Sequence, residues 1–326
     1  MKRIWAFIIV AALMCAAGCA RSGPDAAEYI TYEYFDTVTT VKVAGADEKE
    51  LKKLADGVLS RLDAVFDIYN DHPGIIGAYA VNNSGGDWMR PEPELTELIN
   101  LCGMWRDISP ATDITMGALY EKWHDFREGG ALPGIDELEA AAGMGGWDMI
   151  EIDGDRMRLI SPGARLDFGA VAKGYAAGKL AKALEEAGYT DYIISAGGNV
   201  ACGARKGGYR VGVQEPDGAG YALILNISGL CAVTSGDYQR RRLENGINYH
   251  HIIDTSTLYP ADMGTRQVTV ICDDSAFADY MSTALFLTDA AAGICLAEKA
   301  GVEAVWILEN GQVQMTPGAA EYIEKH

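Results

Sequence analysis

YIISAGGNVACGA, residues 192–204, is the stretch on which the fold turns. β-formers flank Gly197-Gly198, so it reads as two short strands, 192–196 and 199–204, around a glycine pair. Such a pair makes a tight turn, or lets backbone press against a flat ligand. More short strands follow at 209–214, 223–227, 230–234, 249–254 and 268–273. Helices at about 277–287 and 290–300 then precede a hairpin, 304–308 with 312–315, turned at Asn310-Gly311. Upstream, a Gly- and Ala-rich helix is predicted over about 170–187, stopped by Gly188. A hairpin is expected over 148–160, with Asp153-Gly154 at its tip. Leu95, Leu98, Cys102 and Trp105 share one face of a predicted helix at 94–107. Asp47 and Glu50 form a capping box, and Leu51, Leu54, Val58, Leu62 and Val65 follow at helical spacing. Residues 32–43 read as a strand, 70–87 as a loop, and 114–123 as helical or turn-like. The interleaving is neither a strict βαβ series nor all-β. The expectation is α+β, a single large mixed domain built as two intimately packed α/β lobes. No G-x-G-x-x-G follows a strand, so a Rossmann-type dinucleotide site is not indicated.

The N-terminus carries a different signal. Lys2 and Arg3 precede a nearly all-apolar run, and Ala16-Ala17-Gly18 lead into Cys19. This predicts a signal peptide over 1–18, with Cys19 lipidated as the mature N-terminus. Residues 19–28 read as a tether and 29–326 as the catalytic domain. The expected location is extracytoplasmic, lipid-anchored to the cell membrane on its periplasmic face or outer surface. Without Lys2 and Arg3 the formal charge goes from −19 to −21, which disfavours nucleic acid as a partner. Cys102, Cys202, Cys231, Cys272 and Cys295 show no C-x-x-C pair and no zinc-ligand spacing, so they read as small buried residues.

Chemistry concentrates in a few blocks. In 275–285, Asp279 and Thr283 lie at i and i+4 with Ser282 alongside, and Ser275 suits a helix N-cap. One carboxylate with hydroxyls is a hard-oxygen set suited to Mg²⁺. Alone, the segment also fits an ordinary helix with a surface Asp. Around the helix start at 170, Asp167, Lys173 and glycines 169, 174 and 178 fit a phosphate-bearing ligand, or simply a packed helix with a capping Asp. His250 and His251, two of five histidines, offer a general base near neutral pH or a structural pair.

Four blocks in order carry a resemblance. They are Leu166-Asp-Phe-Gly-Ala-Val-Ala-Lys-Gly-Tyr175, Ser235-Gly-Asp-Tyr238, His251-Ile-Ile-Asp254 and Ala278-Asp-x-x-x-Thr-Ala-Leu285. Together they resemble the ApbE family of FAD:protein FMN transferases, from about Phe35 to Thr288. The resemblance implies the ApbE-type fold and Mg²⁺-dependent transfer of FMN from FAD to a threonine of an acceptor flavoprotein, releasing AMP. It implies metal ligation by Asp279, Thr283 and the Ala170 carbonyl, with Ser282 assisting. It implies flavin-nucleotide contacts from Phe35, Tyr69, Thr115, Asp167 and Lys173, and catalysis by His251. The acceptor is expected to carry a threonine flavinylation motif. This chain departs from the family's usual pattern at Thr255, where Pro is common, and at Leu258, where Gly is common. Phe35-Asp36 replaces a common Met-Gly. Two other activities share these residues: an FAD pyrophosphatase giving FMN and AMP, and a non-catalytic FAD-binding lipoprotein. Acceptor mass separates transfer from hydrolysis, and AMP release separates both from binding.

Overall fold

The computed structural model describes residues 26–324. The expected leader, Cys19 and most of the tether lie outside those residues. The tether ends earlier than expected, because β1 (Ala26–Thr31) already pairs with β2 (Thr39–Ala44) from Ala26 onward. The single strand expected at 32–43 is broken. Phe35 and Asp36 adopt left-handed backbone, φ 55° and 48°, and turn the chain between β1 and β2.

Helix α1 (Glu48–Phe66) starts where Asp47 accepts from Lys49 N and Glu50 N. The segment 70–87 is not all loop, since α2 (Ala78–Asn82) forms within it. Helices α3 (Pro93–Trp105), α4 (Gly117–Arg127) and α5 (Ile135–Ala142) follow, then the hairpin of β3 (Ile150–Asp153) and β4 (Arg156–Leu159). Next come α6 (Ala172–Glu186), β5 (Tyr192–Ala196), β6 (Asn199–Cys202) and the hairpin of β7 (Tyr209–Gln214) with β8 (Tyr221–Ile227). Strand β9 (Cys231–Gly236) leads to a ribbon of β10 (Arg241–Glu244) and β11 (Ile247–His250). After β12 (Ile253–Asp254) and β13 (Tyr259–Pro260), the chain ends on β14 (Thr265–Cys272), α7 (Ser275–Phe286), α8 (Ala290–Ala300), β15 (Glu303–Leu308) and β16 (Val313–Met315). Among these helices none is long and apolar enough to cross a membrane.

One eight-stranded sheet, in the order β1-β2-β5-β6-β9-β14-β15-β16, runs through the molecule, and every neighbour pair in it is antiparallel. The α+β expectation therefore holds. Strand alternation divides the labour of its two faces. Val41, Val43, Ile194, Val233, Val268 and Val270 point to the main core, which α1, α3, α6 and α7 cover. At one end of the opposite face, Ala232, Ile271, Val305 and Ile307 pack against the β7–β8 hairpin. The rest of that face, through Thr40, Lys42, Ser195, Thr234 and Thr269, floors a cavity. A third cluster, around Leu119, Trp123, Phe126, Leu138 and Ile253, joins α4 and α5 to the β11–β13 region.

One local device holds the cavity wall. Gly197 (φ 55°) and Gly198 (φ 94°) make the two-residue turn between β5 and β6, and both line the cavity. The turn reading of the pair thus holds, and its backbone borders the cavity. A side chain at Gly197 would also collide with Thr37.

Candidate active site

The cavity has a volume of about 1550 Å³. Phe35, Tyr69, Asp167, Ala170, Lys173, His251, Asp279 and Thr283 all line it, although they come from distant parts of the chain. Thr115 does not. It is 2% exposed, and its hydroxyl donates to Asp113 Oδ1 at 2.7 Å and accepts from Gly146 N at 2.9 Å. It braces a wall on which Asp113 is the exposed member. Its short side chain is consumed locally, so it stands behind the cavity wall and not on it.

Asp279 is 4% exposed, on the face of α7 turned to α6. Helix α6 has no side-chain cap of its own at Val171. The Gly174 N–H instead donates to Asp279 Oδ2 at 2.8 Å. A carboxylate from one helix thus occupies the free N–H of another, at the helix end that favours negative charge. Asp167, expected as the cap, makes a local turn by accepting from Gly169 N at 2.7 Å. Likewise Asp274, not Ser275, caps α7, by accepting from Ala276 N and Phe277 N. Lys173 Nζ donates to the Gly169 carbonyl at 3.0 Å and stands 3.9 Å from Asp279 Oδ2. Burial pushes the Asp279 carboxyl up, against the opposing pull of Lys173, the Gly174 N–H and the Asn199 amide.

Hydroxyls complete this corner. Ser235 Oγ lies 2.7 Å from Ser282 Oγ and 3.3 Å from Thr283 Oγ1. Ser282 is fully buried and donates to the Asp279 carbonyl at 2.9 Å, so it supports the helix rather than facing the cavity. Among the described residues no three His, Cys, Asp or Glu side chains converge as a metal cluster. A cation at Asp279 would therefore be held by one carboxylate and neutral oxygens, with water or ligand phosphates filling its shell. That donor set fits magnesium and not zinc.

The two histidines separate cleanly. His250 is committed: its Nε2 lies 2.9 Å from the Ala261 carbonyl, and Ile252 N donates to its Nδ1 at 3.2 Å. Nδ1 must therefore be the bare nitrogen and Nε2 the protonated one. His251 lines the cavity, and its Nδ1 is buried without a partner. Burial, then the positive charges of Arg240 and Arg127, drive the His251 pKa well below the usual 6.5. Its imidazole is neutral at neutral pH and free to accept a proton.

Tyr69 is 53% exposed, with its ring 5.0 Å from that of His124. Asp167 faces the same region, its carboxyl pushed up by burial while Arg127, His124 and Arg240 pull it down. Arg127 and His124 were not singled out from the sequence. They lie one turn apart on α4, opposite its buried Leu119, Trp123 and Phe126, and that contrast was the available signal. Asn82 was also missed. Its amide bonds both the carbonyl and the N–H of Leu166 (2.9 and 2.7 Å), like a strand partner, and so aims Asp167.

The loop after His251 is held by contacts of its own unusual residue, Leu258. Leu258 holds φ 67°, the region glycine prefers. Its N–H donates to the Asp254 carbonyl at 2.8 Å, and its own carbonyl accepts from Trp123 Nε1 at 2.8 Å. Its side chain packs on the Trp123 cluster, which offsets the backbone strain.

Comparison with known proteins places this geometry. The profile of the ApbE family matches residues 35–306. A Klebsiella pneumoniae protein named FAD:protein FMN transferase is 30% identical over 229 residues, 69% of this chain and 71% of that one. A Vibrio cholerae protein of the same name is 25% identical over 325 residues, 94% of each chain. The crystal structure of the ApbE protein from Thermotoga maritima superposes with a TM-score of 0.83 at 25% identity, covering 92% of this chain and all (100%) of that one.

Proposed function

The chain belongs to the ApbE family, and on that premise we propose that it transfers FMN from FAD to a threonine hydroxyl of an exported or membrane flavoprotein, releasing AMP, with Mg²⁺ as cofactor. The observation that carries the reading is one of placement. The Asp279–Thr283 oxygen pair, the cationic Lys173 and a neutral His251 all open into one cavity, which also presents Tyr69 and Phe35 for a flat ring.

FAD is the flavin donor. Tyr69 and Phe35 offer aromatic surface to its ring system. Lys173, Arg127 and Arg240 form a cationic patch in a chain of net charge −19, which favours the pyrophosphate there over solvent. Asp279 and Thr283, with the Ala170 carbonyl, would hold the magnesium ion. When bound, the ion supplies charge stabilisation to phosphate oxygens. His251 takes the proton of the acceptor hydroxyl. The threonine oxygen forms a bond to the FMN phosphorus, and the bond from that phosphorus to the bridging oxygen breaks. AMP leaves with that oxygen. Lipid anchoring through Cys19 would place the reaction outside the cytoplasm, near membrane-bound acceptors.

The test is the intact mass of an acceptor domain carrying a threonine motif, incubated with the enzyme, FAD and Mg²⁺. The expected result is a gain of one FMN less water, matched by AMP and lost with chelator. AMP and free FMN without a mass gain would instead identify a pyrophosphatase. Bound FAD with no AMP would identify a binding protein.

A further inference from the structure

Asn199 stands directly behind the proposed metal carboxylate, and its amide is only half satisfied. It is the first residue of β6, fixed by pairing with Ala196 on one side and Val233 on the other. It is 1% exposed, on the sheet face turned towards α7. Its side chain hydrogen-bonds Asp279. Its Oδ1, although buried, has no partner. An apolar residue here would strip Asp279 of a donor, and an aspartate would set two carboxylates side by side. Asn supplies an NH2 donor group and a carbonyl acceptor at no charge. The donor is used, while a buried acceptor without a partner is costly and rare.

We propose that Asn199 is a positioning residue of the cation site: its Nδ2 orients Asp279, and its Oδ1 accepts a hydrogen bond from a water on the bound divalent cation. This rests on the metal reading above. Mg²⁺ keeps several of its waters, and each needs an acceptor. Groups that orient a metal's ligands typically change affinity about 10–100-fold when removed. Ser282 spends its donor on the Asp279 carbonyl and Ser235 lies against Ser282, whereas the buried Asn199 side-chain carbonyl oxygen has no partner at all.

The experiment uses Mn²⁺ as probe, with the free ion followed by electron paramagnetic resonance, on the full chain with saturating FAD and no acceptor. Asn199→Ala should weaken Mn²⁺ binding about ten-fold or more. Asn199→Asp, which keeps an acceptor but loses the Nδ2 donor, should bind more tightly than the alanine variant. Asn199→Ser is the fallback if the alanine variant fails to fold. It keeps a hydroxyl too short to bridge both groups and should resemble alanine. Asp279→Ala is the control and should abolish binding. If wild type binds, Asp279→Ala does not, and Asn199→Ala equals wild type, Asn199 has no role and the metal site stands. Asn199→Asp binding as weakly as alanine would also overturn the assignment. If wild type itself fails to bind Mn²⁺, both readings fall.

Discussion

Gly174→Ala is the sharpest test of how α6 and α7 build the site. A Cβ at this position would sit inside the Ser275 carbonyl and 2.5 Å from Asp279 Cβ. Neither is the far end of a flexible side chain. Non-bonded carbons settle near 3.5 Å or more, so the helices must part by about 1 Å. Overpacking of this kind costs about 1–3 kcal/mol. The Gly174 N–H bond to the Asp279 carboxylate is strained or lost as well, and hydrogen bonds to charged groups contribute about 1.5–3 kcal/mol. Alanine returns about 0.5–1 kcal/mol through helix propensity. The net is a loss of about 1.5–5.5 kcal/mol, or roughly 2–9 °C in Tm for a chain of this size. Activity should fall further than stability accounts for. Displacing a catalytic group by about 1 Å typically costs on the order of a hundred-fold in rate. Thermal unfolding and single-turnover FMN transfer, read below the variant's Tm, check the two halves separately. Wild-type Tm with wild-type transfer would refute the account of the helix contact. A lowered Tm with unchanged transfer would refute only the link from that contact to Asp279.

Other predictions follow from the same geometry. Because burial raises the Asp279 pKa, its charge at neutral pH is a stability cost without metal, one that sets in as pH rises through the unfolded value of 3.8. Asp279→Asn should therefore raise the Tm of chelator-treated protein at pH 7, lose that gain at acid pH, and abolish Mg²⁺-dependent turnover; a lower Tm at pH 7 would contradict the burial argument. His251→Ala should bind FAD normally and transfer about 10²–10⁴-fold more slowly, and wild-type transfer would remove His251 from the chemistry. With its pKa held below 6.5, His251 should give free-enzyme kcat/KM an acid limb below pH 6.5 that vanishes in the variant; a limb centred above 6.5 would count against it. Leu258→Gly should change stability by less than about 1 kcal/mol, as strain relief offsets lost packing, whereas Leu258→Ile should cost about 1–3 kcal/mol. Chemical denaturation of the pair checks this, and equal effects would rule out backbone strain as the cause.

Much of this was legible in the sequence because it rests on local chemistry. The strands at Tyr192–Ala196 and Tyr209–Gln214 and the helix Ala290–Ala300 appear as expected, since alternation, helical spacing and flanking turn residues agree there. What escaped depends on distant partners. The strand expected at 32–43 breaks because Asp63 accepts from Phe35 N and holds it in a left-handed turn, which no local propensity reports. The cap of α6 comes from a residue 105 positions away, so a cap search near Val171 finds only Asp167. Strand β10 is a different case. Asn245-Gly246, both at positive φ, is a strong hairpin signal, but Arg240, Arg241 and Arg242 leave the strand before it without apolar alternation. Among site residues, Thr115 stands behind the cavity wall because its hydroxyl is satisfied within its own turn, something a motif does not encode.

The spatial order of the large sheet is also its chain order: each strand joins beside the one before it, and none is inserted between strands already placed. A sheet of this kind can grow at one advancing edge, so it can be laid down in the direction of synthesis. The intervening hairpins are excursions that leave the edge open. Helix α7 follows β14, the sixth strand, and can dock only once that strand has extended the platform. Asp279 and Thr283 therefore reach their neighbours late. If the strands are laid down in chain order, six strands of the sheet are in place before the segment that carries this oxygen pair follows.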